Sequence, residues 1–178
     1  RHPELSFEEE RTAAIVADSL RTAGFEVETG VGRTGVVGVL RNGDGPTVLV
    51  RADMDALPVT ERTGLPYTSA VEGVAHACGH DVHVTCLLAA CAELAATGDT
   101  WAGTLLAVFQ PAEEVGAGAR AMLDDGLYER YGTPVVVLGQ HVAPIPAGTI
   151  GLHPALASAG LLRLDPGLAV DTTVDALE

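Results

Sequence analysis

Residues 43–58 of this 178-residue chain read GDGPTVLVRADMDALP, and this stretch decides the fold class. A turn-forming segment rich in glycine comes first, a nearly continuous apolar run follows, and the run ends in a polar exit that contains Asp53 and Asp55. A short apolar run between such signals is typical of a strand that is buried on both faces, as in an α/β sheet. The stretch therefore predicts a central strand with two carboxylates at its end.

Two further stretches repeat this arrangement, GTLLAVFQPAEE at 103–114 and TPVVVLGQHV at 133–142. Helical patterns lie at 6–25, 83–98 and 116–127, and short β-type runs lie at 25–30, 34–41 and 147–154. This order predicts an α/β protein, a three-layer sandwich with a largely parallel central sheet. In the first helix, we expect Ser6 to be the N-cap, Glu9 to complete a capping box and Gly24 to mark the C-terminal end.

The composition limits the classes of partner. The chain has 24 acidic and 10 basic side chains, which give a formal net charge of −14. Such a surface repels phosphate backbones and anionic lipids, so nucleic acid and membranes are poor partners. No apolar run approaches the ~18 residues of a transmembrane helix. The three cysteines are a poor disulfide framework and indicate reduced thiols in a cytoplasmic protein, with Cys86 and Cys91 in the core.

Side chains that bind metals follow each of the three buried strands. Parallel strands present their carboxyl ends at one edge of the sheet, where α/β proteins bind ligands, so these groups are expected to meet. A segment rich in histidine, immediately before the second helix, is expected at the same place. The groups are Asp53 and Asp55 after the first strand, Glu113 and Glu114 after the second, His141 after the third, and HACGHDVH at 76–83.

This mixture of thiol, imidazole and carboxylate suits a borderline divalent metal, and zinc, manganese, cobalt and nickel are all compatible with it. One residue separates Cys78 from His80, so both side chains can face one centre from a loop. The adjacent pair Glu113 and Glu114 allows one carboxylate to bind metal while the other takes a proton from water that the metal activates. The pattern therefore predicts metal-assisted hydrolysis.

Each motif alone also has an ordinary structural explanation. Acidic pairs suit the first turn of a helix, aspartates form turns, and histidines pack in cores. A thiol enzyme that pairs Cys78 with a histidine is a further alternative. Convergence of several strand ends favours one shared site over separate explanations. His76 and His83 flank that site, and each is expected either to orient a metal ligand or to have a packing role in the fold. His2 and His153 are expected to be structural or exposed.

Five motifs occur in order within residues 1 to about 159. They are RHPELSFEE at 1–9, RADMDALPVTERTGLPYTS at 51–69, HACGHDVH at 76–83, FQPAEEVGAGARAML at 109–123 and GQHVAPIPAGTIG at 139–151. Together they resemble the metal-dependent amidohydrolases and peptidases of clan MH. Within that clan, the similarity is to the branch of hippurate hydrolase, N-acyl-L-amino-acid amidohydrolase, indoleacetyl-amino-acid hydrolase and N-acetyldiaminopimelate deacetylase.

This resemblance implies a zinc-peptidase-like catalytic domain that binds two divalent metal ions and hydrolyses the amide bond of N-acyl amino acids or small peptides. Glu113 then matches the general base, which activates water and later protonates the leaving amine. Asp53 matches an aspartate that supports the metal centre. The implied metal ligands are Cys78, His80, Glu114 and His141.

The chain also departs from this family, whose members are more than twice as long. They contain an inserted lid that usually forms homo-oligomers, followed by a last ligand histidine. Here no histidine follows His153. We therefore expect residues 1–159 to be the N-terminal part of the catalytic domain, residues 160–178 to be a tail unlike the family, and the lid and oligomerisation domain to be absent. The alternative function is a truncated, weakly active or inactive catalytic fragment that only binds metal.

Overall fold

The computed structural model describes residues 1–143 and residue 146. The predicted β-type run at 147–154 and the predicted tail at 160–178 lie outside the described residues. The elements, in chain order, are α1 (Glu10–Thr22), β1 (Glu26–Val31), β2 (Gly35–Asn42), β3 (Thr47–Asp53), α2 (His80–Ala96), a 3-10 turn (Gly98–Thr100), β4 (Gly103–Gln110), α3 (Gly118–Asp124), α4 (Leu127–Tyr131) and β5 (Val136–Gly139).

These strands form one mixed sheet in the order β1-β2-β4-β3-β5. β3 pairs in parallel with both β4 and β5, whereas β2 pairs antiparallel with both β1 and β4. The α/β class is confirmed, and the parallel pairing is confined to β4, β3 and β5. These three strands are the ones whose carboxyl ends are followed by the predicted site residues.

Helices cover both faces of the sheet, which confirms the three-layer arrangement. On one face, α1 and α2 pack on apolar side chains that include Leu105, Ala107 and Phe109 of β4. On the other face, α3 and α4 pack on a second cluster that includes Leu106 and Val108 of the same strand. Because successive side chains of β4 enter two different cores, its sequence is apolar without alternation.

The start of α1 differs from the prediction. Ser6 is not its N-cap, and the helix begins four residues later. The carboxylate of Glu4 instead accepts hydrogen bonds from the free N–H groups of Arg11 and Thr12, each at 2.8 Å. A side chain from outside the helix thus satisfies donors of its first turn. The predicted end is confirmed, because Gly24 follows the C-cap with φ +89°.

The two cysteines predicted for the core of α2 differ in exposure. Cys91 is buried in the core, as predicted, but Cys86 is exposed, so that part of the prediction is wrong. Cys86 lines a cavity together with Leu138 and Gly139 of β5, at the edge of the described sheet. Among the helices of the described residues, none has both the length and the apolar character needed to cross a membrane.

Candidate metal centre

Asp55, two residues after β3, fixes the loop that follows β4. Its buried carboxylate accepts hydrogen bonds from the backbone N–H groups of Glu113 at 3.1 Å and Glu114 at 3.0 Å. The hydroxyl of Ser6 donates to the same carboxylate at 2.6 Å. Since Asp55 binds this pair through their backbone, the carboxylates of both glutamates are left for the site.

Glu9 binds the same loop at Ala112, the residue before Glu113. Its fully buried carboxylate accepts the N–H of Ala112 at 2.9 Å and the hydroxyl of Thr34. Ala112 has φ +47°, so the chain turns in the left-handed region directly before Glu113. The predicted capping box is therefore wrong, because Ser6 and Glu9 both support site loops instead of the first turn of α1.

Gly79 makes the tight turn into α2. It has φ +82°, and a Cβ atom at this position would lie 2.4 Å from Cγ2 of Val142. Both the backbone conformation and the packing therefore require glycine. The close approach brings the loop after β5 against this turn, where Sγ of Cys78 lies 3.3 Å from Nε2 of His141.

His80, the first residue of α2, is fully buried among carboxylates. Its Nδ1 lies 3.4 Å from Asp55, and its Nε2 lies 3.6 Å from Asp53. Nε2 also lies 3.8 Å from Glu114 and 3.9 Å from Glu113. Burial disfavours the charged imidazolium, but the adjacent carboxylates of Asp55 and Asp53 outweigh it and raise the pKa of His80.

The geometry of these residues fits a divalent metal. The ligand atoms of Cys78, His80 and Glu114 all lie within 4.8 Å of one another. Both ring nitrogens of His80 and Oε1 of Glu114 are buried without a hydrogen-bond partner in the described part of the chain. Buried polar atoms in proteins almost always have a partner, and a cation at this position would supply one. The structure thus brings together three of the four predicted ligands, and the fourth, His141, lies next to them, 3.3 Å from Sγ of Cys78.

A second, overlapping set consists of Asp53, His80, His83 and His141. Asp53 already accepts hydrogen bonds from Arg51 at 2.7 Å and from His83 at 2.6 Å. His83 also accepts the N–H of Val142 through its other ring nitrogen, at 2.9 Å. Because both ring nitrogens of His83 have partners, the geometry favours an orienting role over that of a ligand, and orienting a ligand is one of the two roles expected for it.

Glu113 is buried, with a carboxylate oxygen 3.9 Å from Nε2 of His80, but it belongs to neither candidate ligand set. Burial raises its pKa, although the positive charge of Arg51 acts in the opposite direction. A carboxylate with a raised pKa accepts a proton more readily near neutral pH. Its position and its chemistry are therefore suited to proton transfer.

The contact between Cys78 and His141 also raises the question of a thiol nucleophile. Burial, followed by the negative charge of Glu114, raises the pKa of Cys78 to about 11. Reactive cysteines have a lowered pKa, since the thiolate is the nucleophile. In the absence of metal, Cys78 is therefore a protonated thiol and a poor nucleophile, which favours the role of a metal ligand.

Arg51, a charged side chain in the middle of a buried strand, was not among the predicted site residues. Arg51 is 2% exposed, and its Nε donates to Oε1 of Gln110 at 3.0 Å while its NH1 donates to Asp53. A buried charge requires a partner of opposite charge. An arginine within an apolar run, two residues before an aspartate, was therefore the signal that pointed to this ion pair.

Comparisons with known proteins agree with this geometry. The sequence profile described as peptidase family M20/M25/M40 matches residues 49–175. The hippurate hydrolase of Campylobacter jejuni is 49% identical over 144 residues, which are 80% of this chain and 37% of that protein. The N-acetyl-L-cysteine deacetylase of Bacillus subtilis is 41% identical over 152 residues, 84% of this chain and 36% of that protein.

A solved structure from Bacillus subtilis, described as a dinuclear metal-binding peptidase of the M20 family, superposes with a TM-score of 0.80 at 38% identity. The superposition covers 86% of this chain and 43% of that structure. The chain thus spans well under half the length of the relatives it matches. The family profile extends into residues 160–178, whose assignment as a tail stays a prediction. Fold, site and sequence together show that the chain belongs to the peptidase family M20/M25/M40.

Proposed function

We propose that this chain forms the metal-binding part of a hydrolase that cleaves the amide bond of N-acyl amino acids or small peptides. The observation that carries the proposal is the convergence of Cys78, His80 and Glu114, with buried atoms that lack hydrogen-bond partners among the described residues. Hippurate and N-acetyl-L-cysteine, which appear in the names of two relatives, are both N-acylated amino acids. Their common chemistry supports this class of substrate.

The proposed reaction divides the work between ligands and base. Two divalent ions, of zinc, manganese, cobalt or nickel, would lower the pKa of water and polarise the carbonyl of the substrate amide. Glu113 takes a proton from the attacking water as the new C–O bond forms. It returns this proton to the amine nitrogen as the C–N bond breaks, which leaves a carboxylic acid and a free amine. The residues proposed to hold the metal are Cys78, His80, Glu114 and His141.

The proposed setting is the cytoplasm, because free cysteines in the chain and a thiol ligand suit a reducing compartment. The proposed partners are small molecules, since a net charge of −14 disfavours nucleic acid and anionic membranes. Oligomerisation of the family is proposed to depend on sequence that the relatives have beyond the region matched here.

The variants Glu113→Gln and Glu114→Gln test this division of roles, because they are adjacent, isosteric and lose the same charge. Metal content per chain and hydrolysis of hippurate and N-acetyl amino acids are measured for both. We expect Glu113→Gln to abolish hydrolysis with metal content unchanged, and Glu114→Gln to weaken metal binding. Hydrolysis that survives Glu113→Gln would exclude this residue as the base. Metal binding by the wild-type chain without any hydrolysis would favour the metal-binding fragment as the function of this chain.

A further inference from the structure

A line of hydrogen bonds runs from the middle of the sheet to the loop that contains His141. Arg51 donates to Gln110 at 3.0 Å and to Asp53 at 2.7 Å. Asp53 lies 2.6 Å from Nδ1 of His83, and Nε2 of His83 lies 2.9 Å from the backbone nitrogen of Val142. Val142 is the residue directly after His141, so the line ends beside one of the proposed ligands.

These contacts determine which nitrogen of His83 holds the proton. A backbone N–H can only donate, so Nε2 of His83 must accept from Val142. Nδ1 therefore carries the proton and donates a hydrogen bond to Asp53. Asp53 accepts this hydrogen bond at one carboxylate oxygen and the hydrogen bond from Arg51 at the other, so both of its oxygens have partners.

His80 and His83 have opposite environments, although both lie in the first turn of α2 and their ring centroids are 5.4 Å apart. Both nitrogens of His83 have partners, whereas neither nitrogen of His80 has one within the described residues. A ring with two occupied nitrogens has no lone pair for a metal, so His83 acts on the site through its partners.

The loop after β5 needs such an anchor because His141 is exposed and follows the end of β5 by two residues. The hydrogen bond from Val142 to His83 and the packing of the Val142 side chain on Gly79 hold this loop against α2. The rings of His83 and His141 also meet directly, with their centroids 4.6 Å apart. Fixing the peptide that joins His141 to Val142 limits where the imidazole can reach, and here Nε2 faces Sγ of Cys78 at 3.3 Å.

We propose that His83 is a positioning residue that holds His141 in its ligand position through the backbone of Val142, with Asp53 and Arg51 as its support. The proposal rests on the proposed metal site, and it assigns to His83 a role that depends on His141. The effect of losing His83 must therefore disappear when His141 is already absent.

A double-mutant cycle in the 178-residue chain tests this dependence. Zinc affinity is measured by competition with a chromophoric chelator for His83→Leu, His141→Ala and the double variant. We expect His83→Leu to weaken zinc binding about 10- to 100-fold in the wild-type background, the range typical of groups that orient metal ligands. In the His141→Ala background, we expect no further loss. An equal loss in both backgrounds would overturn the proposal.

Two further variants separate positioning from simple loss of stability. His83→Gln keeps one donor for Asp53 and one acceptor for Val142, so it is expected to restore most of the affinity. Val84→Ala removes buried volume from the same turn of α2 without touching the site, so it is expected to lower thermal stability and leave zinc affinity unchanged. A loss of affinity in Val84→Ala equal to that in His83→Leu would show that His83 has only a structural role.

A metal-free measurement keeps the test independent of the proposed function. Nitrogen-15 NMR of the histidine rings is expected to show the Nδ1–H tautomer for His83, and hydrogen exchange is expected to show a protected Val142 amide that becomes unprotected in His83→Leu. If the chain binds no zinc, the proposed function fails, but this result still decides whether His83 holds the loop. An Nε2–H tautomer or an unprotected Val142 amide in the wild type would overturn the proposal.

Discussion

Replacing Cys78 by aspartate tests whether this thiol must lose a proton to bind metal. Burial and the nearby acidic residues raise its pKa to about 11, so it stays protonated from about pH 6.5 to about pH 8.5. Metal binding must release that proton, and Cys78 alone then makes the affinity rise about tenfold per pH unit. Aspartate is already ionised in this range, since its ordinary pKa is ~3.9. Over these two pH units, the zinc affinity of the wild type is expected to rise about 100-fold more than that of Cys78→Asp, which corresponds to about 2.7 kcal/mol of binding free energy.

The assay is zinc competition with a chelator at several pH values, together with calorimetry in buffers of different ionisation enthalpy, which counts the released protons. Other titrating groups are shared by both proteins, so their contributions largely cancel in the difference between the two slopes. Cys86→Ser is the matched control, because this exposed thiol lies outside both ligand sets and its loss is expected to leave the slope unchanged. Equal slopes for the wild type and Cys78→Asp would refute the assignment of Cys78 as a thiolate ligand.

Leu106→Ala, in the fully buried centre of β4, is expected to lower the free energy of unfolding by about 2–5 kcal/mol in a denaturant titration, and an unchanged midpoint would contradict its place in the core. Gly118→Ala would place a Cβ atom 1.5 Å from a backbone oxygen of the loop before α3, whereas the Cβ atom of Gly98→Ala would lie 3.5 Å from its nearest neighbour. We therefore expect Gly118→Ala to lower the melting temperature far more than Gly98→Ala. Equal decreases in melting temperature would count against this geometry. In thiol labelling followed by mass spectrometry, Cys86 is expected to react in the folded protein. Cys91, whose pKa is raised to about 12 by burial, is expected to react only after unfolding, and equal rates would contradict the packing of α2.

The buried strands and their polar exits could be predicted because they are local features of the sequence. An apolar run without alternation indicates a strand covered on both faces, and β3 and β4 are covered in this way. The proximity of the proposed ligand residues was predictable for a related reason, since strands that run in parallel end at the same edge of the sheet. The antiparallel half was not predicted. β1 and β2 are separated by only three residues, a connection that suits a hairpin but is too short for a parallel crossover.

The errors concern contacts that no local pattern contains. Ser6 and Glu9 have the spacing of a capping box, but the hydroxyl of Ser6 bonds to Asp55, 49 residues away in sequence. The tertiary partner competes with the local one, and the helix starts later as a result. Cys86 was misplaced because α2 is apolar around most of its circumference. Periodicity then does not distinguish its buried side from the side next to β5.

Asp53 and Asp55, which the sequence presents together as possible ligands or turn formers, have separate tasks in the structure. Asp55 accepts two backbone N–H groups from the loop after β4, and Asp53 binds His83, which in turn holds the loop after β5. His80 lies between them, 3.4 Å from one and 3.6 Å from the other. A carboxylate has about four acceptor positions. The hydrogen bonds described above occupy two of them in Asp53 and three in Asp55. The end of β3 therefore acts as the common support that sets the distances between the proposed ligands from three separate loops, and the proposed ligand atoms come from other side chains.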